Sequence, residues 1–287
     1  MESVGASILD LLQLTALQLL QLFGLLAGLG VVLHLLEKGV FKLHSRAFGY
    51  KAAIWTTGWL GTPVHECGHL IFCLPFAHKV EEAALFRPDE KSGTLGYVKH
   101  SYNPRNPWAQ VGQLFIGFGP LLLGSAVIFG ALWGLVPDSA DELLRVRAML
   151  VEGGFGFGET LRDVWHGAVL LAQSLITEAH IKTWQFWLFA YIALCVAAHM
   201  GPSRADLQGG LWGFFLWVVV LLTLNAVSLF AFDTPTGPLV GWIWSYASWL
   251  AALFLLAAAV ALLNLVATWL ILAVLAKLTG KPLPVPW

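Results

Sequence analysis

Apolar residues run along this chain in long blocks, separated by short polar stretches that hold most of its charges. A helix needs about 20 mainly apolar residues to cross roughly 30 Å of hydrocarbon. Blocks near or above that length fall at 7–36, 52–77, 108–136, 184–200, 209–232 and 240–277. The pattern predicts an all-α polytopic membrane protein of about six transmembrane helices, one domain over 1–287 with its core at 52–232. The last block exceeds what the hydrocarbon requires, so it is expected to tilt, kink or project, with Asn264 as a kink or a helix contact.

Two stretches break the pattern. Within the polar 79–107, residues 80–86 and 94–100 read as short strands around the turn-rich 87–93, which predicts a β-hairpin-like loop after the second span. Residues 137–182 carry glycines at 153, 154, 156 and 158 ahead of an amphipathic stretch at 159–179. That order predicts a flexible loop leading to an interfacial helix, or to an ordinary connecting helix with a solvated face. Lys38, Lys42, Arg46 and Lys51 make the first connection basic, which favours the cytoplasm. The hairpin loop is basic as well, through Lys79, Arg87, Lys91, Lys99 and Arg105, so the orientation stays open. Alternation sets only relative sides: with six spans, the hairpin loop and the 201–208 loop emerge together.

Composition narrows the class further. Hydrophobic residues make up 58% of the chain and charged residues 11%, as integral membrane proteins require. Sixteen Lys and Arg against seventeen Asp and Glu leave no basic footprint for nucleic acid. Cys67, Cys73 and Cys195 are odd in number and lie in apolar blocks, so they read as small packing residues rather than a disulfide framework. Glu2 stands where a signal peptide would carry its basic region, so the first span is expected to stay attached. In a bacterium the membrane would be the inner one.

The chemistry sits inside the second block, as His65-Glu66-Cys67-Gly68-His69. Positions i and i+4 share a helix face, so His65 and His69 can converge on one ion. Two imidazoles and an open position suit a catalytic Zn²⁺, and Glu66 is placed to take a proton from a zinc-bound water as it attacks a carbonyl. With nine His and ten Glu in 287 residues, H-E-x-x-H arises by chance about 0.01 times per chain, which favours a functional origin. Ionisable groups at membrane depth cost roughly 2.5–3.5 kcal/mol each on insertion scales, which weighs against the bland reading of a hydrogen-bonded packing cluster.

A third protein ligand is needed, and the segment from His199 to Gly210 offers two candidates. Asp206 would complete a His₂Asp site, although Ser203-x-x-Asp206 also reads as a helix-capping box. His199 would complete a three-histidine site. His69 precedes Ala77 by eight residues, roughly 12 Å along a helix axis, so a loop dipping inward can reach it from the exit end of the block.

The motif, the later Gly117-Phe118-Gly119-Pro120-Leu121-Leu122 and the Pro202 to Gly210 segment together resemble the site-2 protease group of intramembrane zinc metalloproteases. The resemblance covers about half the chain and marks a divergent member, because Asp206 is followed by Leu207 rather than glycine and no Asn precedes Pro202 in the family's position. It implies a zinc-dependent endopeptidase that cleaves a protein or peptide substrate within or beside its membrane segment in the lipid bilayer. A helical substrate hides its carbonyls, so the scissile segment must unwind, and a hairpin edge could hold it extended. Gly117, Gly119 and Pro120 read either as a re-entrant turn near the site or as small residues at a helix contact.

Other polar residues are expected to serve structure. Asn225 reads as an interhelical hydrogen-bonding residue. His100, His166 and His180 lie outside the blocks and read as solvated surface residues. Trp108, Trp184, Trp212 and Trp287 sit near block ends as interfacial anchors. The same histidines would also serve a metal-ion transporter or sensor, or persist in an inactive membrane scaffold. Transport fits less well, since the chain has no His-rich loop and no succession of acids through several blocks. Nothing in the sequence specifies an oligomeric state.

Overall fold

The apolar blocks fold as helices in the computed structural model, which describes residues 2–89, 93–152, 157–232 and 238–280. The chain begins with α1 (Glu2–Leu19), passes through a wide π turn at Leu20–Gly24, and continues into α2 (Leu25–Phe48). Lys38, Lys42 and Arg46, expected in a basic loop, lie instead on α2, because nothing breaks the helix until Gly49. That residue takes a φ of 86°, open to glycine, and its N–H closes on the Ser45 carbonyl at 3.0 Å. Lys51 lies on the short α3 (Tyr50–Ala53).

A second π turn at Ile54–Gly58 joins α3 to α4 (Trp59–Cys73), the helix with the His-Glu motif. A π turn leaves carbonyls short of helical partners. Here the Thr56 carbonyl accepts the Tyr191 hydroxyl at 2.9 Å, tying the turn to a neighbouring helix. The strands β1 (Lys79–Ala84) and β2 (Tyr97–Ser101) then pair antiparallel, with a bulge between Val80 and Glu82. They are shorter than 80–86 and 94–100, but bonds from Arg87 N–H to Leu95 O and Asp89 N–H to Thr94 O continue the hairpin toward its turn. Lys91 lies outside the described residues.

Next comes α5 (Pro107–Leu135), started by the Asn106 side chain, which accepts the Trp108 N–H at 3.1 Å, and by a proline at its first position. The helix passes through Gly117, Gly119 and Pro120 without a break, so this segment is a helix contact rather than a re-entrant turn. The connector is also more helical than its glycines suggested, with α6 (Pro137–Glu152) and α7 (Phe157–Leu175), then a short α8 (Glu178–Ile181). The flexible loop expected at Gly153, Gly154 and Gly156 lies outside the described residues. Leu143, Val146, Leu150, Leu171 and Leu175 are buried, so the apolar faces of α6 and α7 pack on protein.

The chain closes with α9 (Trp184–Ala197), α10 (Arg204–Phe232) and α11 (Pro238–Thr279). Within α11, Asn264 serves a helix contact: it accepts the Thr268 hydroxyl at 3.2 Å, and Thr268 meets His44 of α2 at 3.1 Å. α11 packs on α2, α5, α6, α7 and α9, and α5 sits between α4, α9 and α10. Among the described residues, two helices, Pro107–Leu135 and Ser245–Thr279, are long and apolar enough to cross a membrane. Six were expected; α4 and α9 have 15 and 14 residues, short of a full span as continuous helices.

Candidate metal centre

Glycine brings the motif helix against its neighbours. A Cβ at Gly68 would lie 2.5 Å from Pro120 N and 2.6 Å from Gly119 C, so α4 and α5 meet backbone to backbone. Gly117, one turn earlier on α5, lies likewise against the Asp206 backbone at the start of α10. The helix holding the two histidines and the helix start holding Asp206 are thus drawn to one point of α5.

At that point His65, His69 and Asp206 form a group that can hold a metal ion, with one ligand atom of each lying within 4.8 Å of the others. His65 Nε2 and His69 Nε2 are 3.2 Å apart. Asp206 Oδ1 lies 3.4 Å from His69 Nε2, and Oδ2 lies 4.0 Å from His65 Nε2. Nitrogen and oxygen ligands around a tetrahedral metal ion stand about 3.3 Å apart, which the 3.2 and 3.4 Å separations match, while the His65–Asp206 separation is wider.

The far sides of the rings test that fit independently. His65 Nδ1 lies 2.6 Å from the His199 carbonyl and His69 Nδ1 lies 2.8 Å from the Ile116 carbonyl. A carbonyl can only accept, so in the neutral rings both hydrogens sit on Nδ1 and both Nε2 atoms present lone pairs to each other. Two lone pairs at 3.2 Å repel unless a cation lies between them. Outer hydrogen bonds of this kind are what orient metal-binding histidines.

His199, the other candidate, contributes backbone rather than side chain here. Its Nε2 turns to the Thr57 hydroxyl at 3.0 Å, away from the pair, while its carbonyl holds His65. Asp206 faces the pair and also makes the capping box foreseen for it: Oδ2 accepts the Ser203 N–H at 2.6 Å and Ser203 Oγ accepts the Asp206 N–H at 3.2 Å, so the box aims the carboxylate. From α2, Glu37 accepts the Gly201 N–H and anchors the loop between His199 and Asp206.

Glu66 lies beside the pair on the wall of a cavity of about 260 Å³, shared with His65, His69, Asp206, Ser203 and the β2 strand. The hairpin closes over it so tightly that a Cβ at Gly96 would lie 2.8 Å from Glu66 Cγ. His100 is on this wall too, which corrects its reading as a solvated surface residue. Burial first, then the imidazoles of His78 and His69, hold its pKa below the usual histidine value. The only sequence signal for it was its place in a strand that ends near the motif. His166 is exposed as expected, and His180 is half-buried, stacked on Phe186 and 3.9 Å from Asp138.

Asn225 lies well away from this cavity, in α10. It donates to Thr15 Oγ1 at 3.0 Å and to Gln18 Oε1 at 2.7 Å, clamping α10 to α1. Trp108 and Trp184 are largely exposed, as anchors would be; the side chain of Trp212 and all of Trp287 lie outside the described residues. The three cysteines are free thiols. Comparison of the chain with protein-family models, characterised proteins and solved structures finds no match.

Proposed function

We propose that this chain is a multi-pass, zinc-dependent intramembrane endopeptidase, a divergent relative of the site-2 proteases, which hydrolyses a peptide bond within or next to a membrane segment of a protein substrate. The observation that carries the reading is the facing pair of lone-pair nitrogens, His65 Nε2 and His69 Nε2, closed on a third side by the Asp206 carboxylate and flanked by Glu66. A bound zinc supplies Lewis acidity and a water acidic enough to be activated near neutral pH. Glu66 accepts a proton from the attacking water and returns it to the leaving amine as the carbon–nitrogen bond breaks. β2 borders the cavity and gives an unwound substrate segment a strand to lie against.

Surface chemistry supports the membrane setting beyond the two long apolar helices. Large apolar side chains stand exposed on several others, among them Leu9, Val31, Ile71, Phe215 and Val227, where lipid would cover them. The shorter apolar helices then cross with the help of their neighbours or of a thinned bilayer.

The test is Glu66→Gln in the zinc-loaded chain, assayed against single-span membrane peptides and an unfolded soluble chain. Zinc content should match wild type while cleavage falls by about a hundredfold to ten-thousandfold. Cleavage at wild-type rate in this variant overturns the mechanism, and zinc flux that survives it supports a transporter instead.

A further inference from the structure

The cavity holds one imidazole besides the clustered pair, that of His100 on β2. His100 Nδ1 lies 2.9 Å from His78 Nδ1, and His78 Nε2 lies 2.8 Å from the Ala109 carbonyl oxygen. Because that carbonyl can only accept, a neutral His78 carries its hydrogen on Nε2 and offers Nδ1 as an acceptor. His100 must then donate from Nδ1, which leaves its Nε2 as a lone pair with no protein partner among the described residues. Tyr102 stacks on the buried His78 at 4.7 Å and fixes the inner ring.

The neighbouring polar groups on that wall are already engaged. The Tyr97 hydroxyl donates to Glu82, and Ser203 Oγ accepts the Asp206 N–H. Val98 and His100 alternate along β2, so they share one face of the strand, and both line the cavity with Gly96 just before it. An acceptor held at fixed orientation beside a candidate hydrolytic centre calls for a donor on the ligand. The donor that every extended peptide carries is its backbone N–H.

We propose that His100 is a substrate-binding residue whose Nε2 accepts a backbone N–H of the extended peptide next to the bond being cleaved, with His78 and the Ala109 carbonyl setting its tautomer. This rests on the peptidase reading above. It makes a proline or an N-alkylated residue at that one substrate position unfavourable.

The experiment uses the full zinc-loaded chain in detergent and a dipeptide hydroxamate, compared with analogues methylated at each backbone nitrogen in turn. One methylated analogue should bind wild type about fivefold more weakly than the parent, and His100→Phe should abolish the difference with zinc content unchanged. His100→Gln, which keeps an acceptor oxygen, should restore part of it. Equal binding of all analogues to wild type, discrimination that survives in His100→Phe, or loss of zinc from that variant overturns the proposal. Should His100→Phe not fold, ¹⁵N shifts of the wild-type histidines decide: a neutral His100 ring must carry hydrogen on Nδ1 and not on Nε2. A wild type that binds no zinc, or that hydrolyses peptide independently of Glu66, overturns the peptidase reading and this inference together. Glu66-dependent hydrolysis without His100-dependent discrimination overturns this inference alone.

Discussion

Gly68→Ala places one methyl group between two helix backbones. That carbon would lie 2.5 Å from Pro120 N, 2.6 Å from Gly119 C and 2.7 Å from Gly119 O, with no flexible side chain to swing aside. Ordinary contact begins at 3.4 Å, so α4 and α5 must part locally by about 0.9 Å. His69 is the next residue, and its Nδ1 depends on the Ile116 carbonyl of α5 at 2.8 Å. Carried through in full, the separation stretches that contact to about 3.7 Å, beyond a hydrogen bond. Two losses follow: about 1–3 kcal/mol of stability from overpacking, and about 10- to 100-fold in zinc affinity from the missing outer hydrogen bond. Competition against a chelator of known zinc affinity reads the second, and denaturant titration of the same samples reads the first. A variant whose zinc affinity stays within about twofold of wild type refutes the claim that this contact positions His69.

Asp206→Ala should reduce bound zinc to the background of a chelated control, whereas His199→Ala should keep it within about tenfold, since only the His199 carbonyl faces the site; the reverse pattern would make His199 the ligand. Asn225→Ala leaves Thr15 and Gln18 without their partner and should cost about 1 kcal/mol in an unfolding titration, with zinc content unchanged. Hydrogen bonds from Lys99, then Tyr97, hold the Glu82 carboxyl below its ordinary value of 4.5, so its contribution to the hairpin is present above that pH and is lost as pH falls through the lowered folded value. Protection of the amides bonded between β1 and β2, corrected for intrinsic exchange, should therefore hold from neutrality to about pH 4.5 and decline only below it; a decline beginning near neutrality would contradict this.

Where the chain's own neighbours decide an outcome, the sequence was legible. The hairpin followed from alternation and turn residues, and its pairing kept the order expected, trimmed at both strands because backbone bonds beyond Ala84 no longer form a regular ladder. The basic first connection was misplaced because helical continuity from Leu25 to Phe48 depends on the absence of a breaker, which loop-charge counting ignores. His100 was passed over for a different reason. An exposed-looking histidine in a polar loop becomes a cavity residue only when the hairpin folds back over α4, and no local pattern marks that fold.

The sequence by itself determined that His65 and Glu66 would each stand near His69, because the helical period makes residues three and four apart near neighbours whatever surrounds them. It determined the helical character and the apolar blocks for the same local reason. Only the tertiary structure decided that the Asp206 carboxylate, and not the His199 imidazole, faces the pair. Those residues lie more than a hundred positions beyond the motif, and their placement depends on α4, α5 and α10 meeting at Gly68, Gly119 and Gly117. It also decided the tautomers of both histidines, since the carbonyls that hold Nδ1 come from Ile116 and His199, on other segments of the chain.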